Sequence, residues 1–138
     1  MVNFTSGFPK QASARLKEHY ILWLTTVDGS NTPQPRPVWF HWDGSTILVF
    51  SQRRAAKLRH IAQNPAVSVH LNSDVHGGEV TVLVGTAKVL PGWPKGKRTA
   101  EYLTKYQDGI SDLGYTPESF AAEYATPIEI TPTAVRGF

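Results

Sequence analysis

The chain has 138 residues, 41% of them hydrophobic and 18% charged, with a formal net charge of +3 and no cysteine. That length suits one folded unit with its own core, and the composition excludes a disordered chain. The missing cysteine excludes disulfides, thiolate metal sites, iron–sulfur clusters and a cysteine nucleophile.

Residues 1–9 read as a tail, without the basic and apolar regions of a secretory signal. Residues 10–138 read as a single domain. Lys10–Glu18 has the composition of a short helix. Tyr20–Val27 is an apolar, aromatic and β-branched strand ending in the Asp28-Gly29 turn, with Trp23 expected in the core. The apolar run Tyr20–Leu24 is too short to cross a bilayer, so the expectation is a soluble, cytoplasmic protein without a membrane partner.

Pro33, Pro35 and Pro37 follow at a spacing of two. Proline has no N–H for a ladder, so this half cannot be a central strand, while Val38–Trp42 reads as true strand. Asp43-Gly44 marks a hairpin into the strand Thr46–Phe50. Arg53–Gln63 has helical spacing and stops at Asn64-Pro65, and Ala66–Leu71 alternates as a half-buried strand. Glu79–Leu90 is a long strand with a bend expected at Gly85. Pro94–Tyr106 and Pro117–Tyr124 read as helices, and Pro127–Val135 as the last strand. Short links between consecutive strands favour a mainly antiparallel sheet curled into a barrel over repeated βαβ units.

The charge is unevenly placed. No Asp or Glu lies between Asp43 and Asp74, and that stretch holds Arg53, Arg54, Lys57 and Arg59 with His60 beside them. With Ser51 as a plausible N-cap, Arg53 and Arg54 fall in the first helical turn, where the helix dipole disfavours cations. Arg53, Lys57 and His60 share one stripe of the helical wheel. Phosphate capture by the helix start explains this arrangement, and a solvated basic face is the plainer alternative. The segment Gln34-Pro-Arg-Pro-Val-Trp-Phe offers an unpaired edge to a flat ring, although proline is also a common device for blunting an edge strand. The five histidines show no metal-ligand spacing, and His41 and His70 are expected to face the surface. No catalytic acid, base or nucleophile can be assigned. A nucleic-acid partner is disfavoured, because binding a polyanion takes many phosphate contacts and the charge elsewhere is balanced.

The segments YILWLTTVDGSNTPQPRPVWFHWDG, ILVFSQRRAAKLRHIAQNPAVSVHL, VLVGTAKV and ITPTAVRGF resemble the pyridoxamine 5′-phosphate oxidase-like split β-barrel family. Within it they are most similar to the probable F420-dependent enzymes. The resemblance runs from about Leu16 to Phe138. It implies a mainly β, six-stranded antiparallel split barrel, homodimeric, with cofactors in grooves between subunits. It also implies an oxidoreductase passing hydride between the deazaflavin coenzyme F420 and a small substrate. An FMN enzyme of the same fold, or a non-catalytic carrier, are the alternatives. The cofactor phosphate would meet Ser51, Arg53, Arg54, Lys57 and Arg59. The ring would lie along Gln34, Arg36, Pro37, Val38 and Trp39, with Val49 nearby. The oxidase members of the family carry an Arg-Lys pair where this chain has Ala56-Lys57.

Overall fold

The computed structural model describes residues 1–138. In chain order the elements are α1 (Gly7–Glu18), β1 (Leu22–Val27), β2 (Pro33–Val38), β3 (His41–Trp42), β4 (Ile47–Ser51) and α2 (Ala56–Gln63). There follow β5 (Ala66–Leu71), β6 (Thr81–Val89), α3 (Lys97–Lys105), α4 (Gln107–Asp112), α5 (Pro117–Glu123) and β7 (Thr126–Gly137). No helix is long and apolar enough to cross a membrane.

The strands form one seven-stranded sheet in the order β2-β1-β5-β6-β7-β4-β3, and each neighbouring pair is antiparallel. β2 and β3 lie at opposite edges of that order, yet only Trp39 and Phe40 separate them in the chain. A link that short holds the two edges within about 10 Å of each other. The sheet therefore curls until its ends nearly meet, which makes it a split barrel. It has seven strands and not the expected six, because Val38–Trp42 is not one strand: Val38 ends β2, and β3 begins at His41.

Inside the curl, Leu22, Leu24, Phe40, Ile47, Val49 and Ile128 are among the residues of the larger core cluster. The prolines of β2 fit their place. β1 pairs with β2 from Pro33 to Val38, so the three imino nitrogens, two residues apart, share the outward side of an edge strand. The bend expected at Gly85 is a register shift in the β6–β7 pair between Val84 and Gly85. A Cβ at Gly85 would sit 2.2 Å from the Thr131 carbonyl oxygen, so the two backbones approach closely there.

Several expectations need correction. The tail is shorter than nine residues: α1 starts at Gly7, and the Phe4 ring meets Trp42 edge-on at 4.8 Å. Trp23 is not core. The β1 alternation turns Leu22, Leu24 and Thr26 inward, so Trp23 is left half-buried on the outer face, stacked on His70 and donating to Asn72 Oδ1 at 2.9 Å. His41 is buried, and Glu101 of α3 comes within 2.8 Å of its Nε2. The helix expected to end at Tyr106 is followed by α4, whose internal Gly109 masks its helical pattern.

A second cluster forms on the other face of β4, where Leu48 and Phe50 pack with Tyr102, Tyr106, Ile110 and Phe120. Tyr106 fastens it to the Trp39–Phe40 link. Its Oη accepts from the Phe40 N–H at 3.0 Å and donates to the Tyr20 carbonyl at 2.7 Å. Lys105 Nζ donates to the Phe40 carbonyl at 3.3 Å. Burial holds the Tyr106 phenol far above its ordinary pKa, so it remains a neutral donor. Tyr106→Phe leaves the buried Phe40 N–H without an acceptor and is expected to cost about 1–3 kcal/mol in urea unfolding. A stability equal to wild type would contradict this role for the hydroxyl.

Candidate functional site

β4 ends at Ser51, and the chain does not enter a helix at once. Ser51 is buried and its Oγ donates to the Gln52 carbonyl at 3.0 Å, so it does not cap α2. Residues 52–55 make a turn closed by Ala55 N–H to Gln52 O at 3.2 Å. Arg53 and Arg54 sit in that turn, exposed, and not in the first turn of the helix. The dipole conflict anticipated for them is thus avoided. α2 begins at Ala56 with no side-chain cap and no acidic residue in its first turn, so the conflict falls on Lys57 and Arg59. Ile61, one turn after Lys57, anchors α2 in the core.

Lys57 is the hinge of the site. Two adjoining concavities share Lys57, Pro37 and Tyr124. One, of about 540 Å³, is polar and cationic: Thr26, Gln34, Arg36, Ala56, Lys57 and His60 border it. The other, of about 330 Å³, is an aromatic slot bordered by Val38, Trp39, Phe50, Tyr102, Leu113 and Phe120. No carboxylate borders either one.

The polar side chains are held in place. Gln34 Nε2 donates to Asp28 Oδ2 at 3.0 Å, and His60 Nδ1 lies 2.8 Å from Thr26 Oγ1. Trp39 stacks on Tyr106 at 4.6 Å and on Phe120 at 5.8 Å. Burial, reinforced by the Arg36 charge, lowers the Lys57 pKa from its ordinary value. Two cations face one concavity, beside an uncapped helix start and with no acid among its walls. An anion would relieve all of these at once.

The structure thus brings Gln34, Arg36, Pro37, Val38, Trp39 and Lys57 to one cleft. Five other expected residues lie outside its walls. Val49 points into the larger core and is 1% exposed; its neighbour Phe50 takes the place beside the slot. Ser51 is buried at the strand end, and Arg53, Arg54 and Arg59 are exposed without bordering either concavity. His60, which shares the Lys57 stripe of the helical wheel, borders the cleft as well; the residues missed in the sequence are Thr26, Tyr102, Phe120 and Tyr124, which arrive only through long-range packing.

Gly109 controls how closely α4 covers the slot. A Cβ there would lie 2.4 Å from Tyr20 Oη and 3.0 Å from Cζ2 and Cη2 of Trp39. Gly109→Ala should displace the Trp39 ring and cost about 1–3 kcal/mol of stability through overpacking. Tryptophan emission and urea unfolding check this. An unchanged spectrum at unchanged stability would refute the close packing.

A curled antiparallel sheet whose end strands meet across a two-residue link defines a split-barrel protein. The family profile of pyridoxamine 5′-phosphate oxidase matches residues 8–137, and the chain belongs to that family. Solved structures share the fold. A Listeria innocua protein provisionally assigned as a pyridoxamine 5′-phosphate oxidase is 23% identical, with 94% of this chain and 97% of that chain covered and a TM-score of 0.68. An F420 reductase is 25% identical, with 90% and 94% covered and a TM-score of 0.69. HutZ, the heme storage protein of Vibrio cholerae, is 16% identical, with 93% and 90% covered and a TM-score of 0.65. A search of curated proteins gives no match.

Proposed function

We propose that the chain is an oxidoreductase that binds coenzyme F420 in the Lys57 cleft and passes hydride between it and a small substrate. The observation that carries this reading is the junction at Lys57 of an acid-free cationic concavity with an aromatic slot. A ligand that suits both halves carries a phosphate at one end and a planar ring at the other. Lys57 and Arg36 fit the phosphate by charge, and the start of α2 adds the positive end of a helix dipole. Pro37–Trp39 and the rings of Phe50, Tyr102 and Phe120 fit the planar part. The likeness to an F420 reductase at 25% identity supports the deazaflavin in particular.

When bound, a deazaflavin supplies two-electron hydride transfer, and the protein's part is to bind, orient and keep out water. Lys57, half-buried, holds the anionic end, and a negative charge beside it offsets the burial and the Arg36 repulsion that disfavour its ammonium form. Gln34 and His60, fixed by Asp28 and Thr26, keep the polar wall in register. Trp39 and Phe120, stacked on each other, give the slot a rigid wall. No side chain of the cleft is needed as a nucleophile. Arg53, Arg54 and Arg59 lie outside its walls, and their charge would draw an anion toward α2. The cleft is open beside Leu113, which is 61% exposed, and the reading includes a second copy of the chain completing it as a homodimer.

FMN in the same cleft is the second reading, supported by membership of the oxidase family. Lys57→Glu tests the phosphate assignment. In a fluorescence titration it should weaken coenzyme binding about 30-fold or more, while circular dichroism stays that of the wild type. Unchanged affinity in the folded variant would remove Lys57 from the site.

A further inference from the structure

A second cleft lies between α1, β3 and α3 and shares no residue with the walls of the Lys57 cleft. Its principal concavity is about 410 Å³. The floor is apolar and firm: Leu16 and Trp42 are buried, and Trp42 Nε1 donates to Ser13 Oγ at 2.9 Å. The walls are mainly cationic. Lys17 comes from α1, and Lys97 and Lys105 come from α3.

The acids nearby are already engaged. Glu101 accepts from His41 Nε2 at 2.8 Å through Oε2, and its Oε1 lies 3.5 Å from Lys97 Nζ. Asp43, on the rim, accepts from the Ser45 and Thr46 amides and lies 3.6 Å from Arg98 Nε. Arg98 in turn donates to Glu129 at 2.9 Å. Neither Lys17 nor Lys105 has an ion-pair partner. Lys105 lies 3.9 Å above the Phe40 ring, and burial lowers its pKa to about 8. His41 is 6% exposed, and its buried Nδ1 has no hydrogen-bond partner. Desolvated ammonium without a counter-charge, beside a buried imidazole lacking one partner, is an arrangement that negative charge would stabilise.

We propose that the cleft between α1, β3 and α3 is a second binding site, for a compact organic anion carrying two or more carboxylate or phosphate groups. Lys17 and Lys97 flank such a ligand from two elements, and Lys105 meets it from the apolar side. Glu101 lies among these lysines and opposes binding, while Asp43 on the rim is engaged by Arg98. Of the facing charges — Lys17, His41, Asp43, Lys97, Arg98, Glu101 and Lys105 — Lys105 is the group that discharges near pH 8. Affinity therefore falls as pH rises through that region. The proposal does not depend on the F420 reading, since no residue is common to the two clefts.

The test is a titration of the wild-type chain with citrate, at ionic strength held constant with sodium chloride, followed through the imidazole NMR signals. The expected result is a saturable displacement of the His41 signals that leaves those of His76 unmoved. Acetate, with one carboxylate, should give none. Lys17→Glu and Lys97→Glu, both at exposed positions, should each weaken citrate about tenfold or more. Glu101→Gln should tighten it, and Lys57→Glu should change nothing. A displacement linear in citrate, an equal response to acetate, or Lys17→Glu and Glu101→Gln binding as the wild type would each overturn the proposal.

Discussion

Two residues, Trp39 and Phe40, join strands at opposite edges of the sheet, and the rest of the molecule accommodates that link. The sheet must curl, because the chain is too short there to reach across a flat one. Leaving the ladder exposes the backbone of the link, and a buried N–H or carbonyl without a partner is costly. Tyr106 and Lys105 meet that need, at the Phe40 N–H and carbonyl respectively. The α3–α4 segment is thereby tied down over the outer face of β4. The second aromatic cluster follows, and with it one wall of the slot.

The same link separates two clefts of different character. On one side Trp39, stacked on Tyr106, walls the aromatic slot that runs to Lys57. On the other, Phe40 carries Lys105 on its ring, and His41 and Trp42 line the cationic cleft. Each cleft leaves one lysine desolvated without an ion-pair partner, Lys57 in the first and Lys105 in the second. Such placement is unfavourable in the free protein and becomes favourable when an anion arrives. On the proposed reading, the low acid content near α2 serves binding and not folding.

Much of this was legible in the sequence. The spacing of Pro33, Pro35 and Pro37 marked β2 as an edge, and the absence of acids between Asp43 and Asp74 marked the neighbourhood of Lys57. Periodicity placed Lys57 and His60 together, because i and i+3 share a helix face. What escaped was set by packing across the chain. Nothing local to Trp39 announces a break in the strand, since the break depends on Tyr106, 67 positions later. Nor does any local pattern reveal that Val49 faces the core while Phe50 faces the slot: β4 is buried on both faces, so alternation carries no sign. Ser51 looked like a cap because the spacing was right, yet its burial at a strand end turned its hydroxyl to a different acceptor.

The central claim is that one cleft at the barrel seam selects a deazaflavin carrying a phosphate. Thermal unfolding of the wild-type chain with F420 and, separately, with FMN tests it most directly. A ligand at 100 times its Kd should add about 2.7 kcal/mol of stability. The account predicts a saturable rise in Tm with F420 at concentrations where FMN gives a smaller one. An equal or larger rise with FMN, or no rise with either, would contradict it.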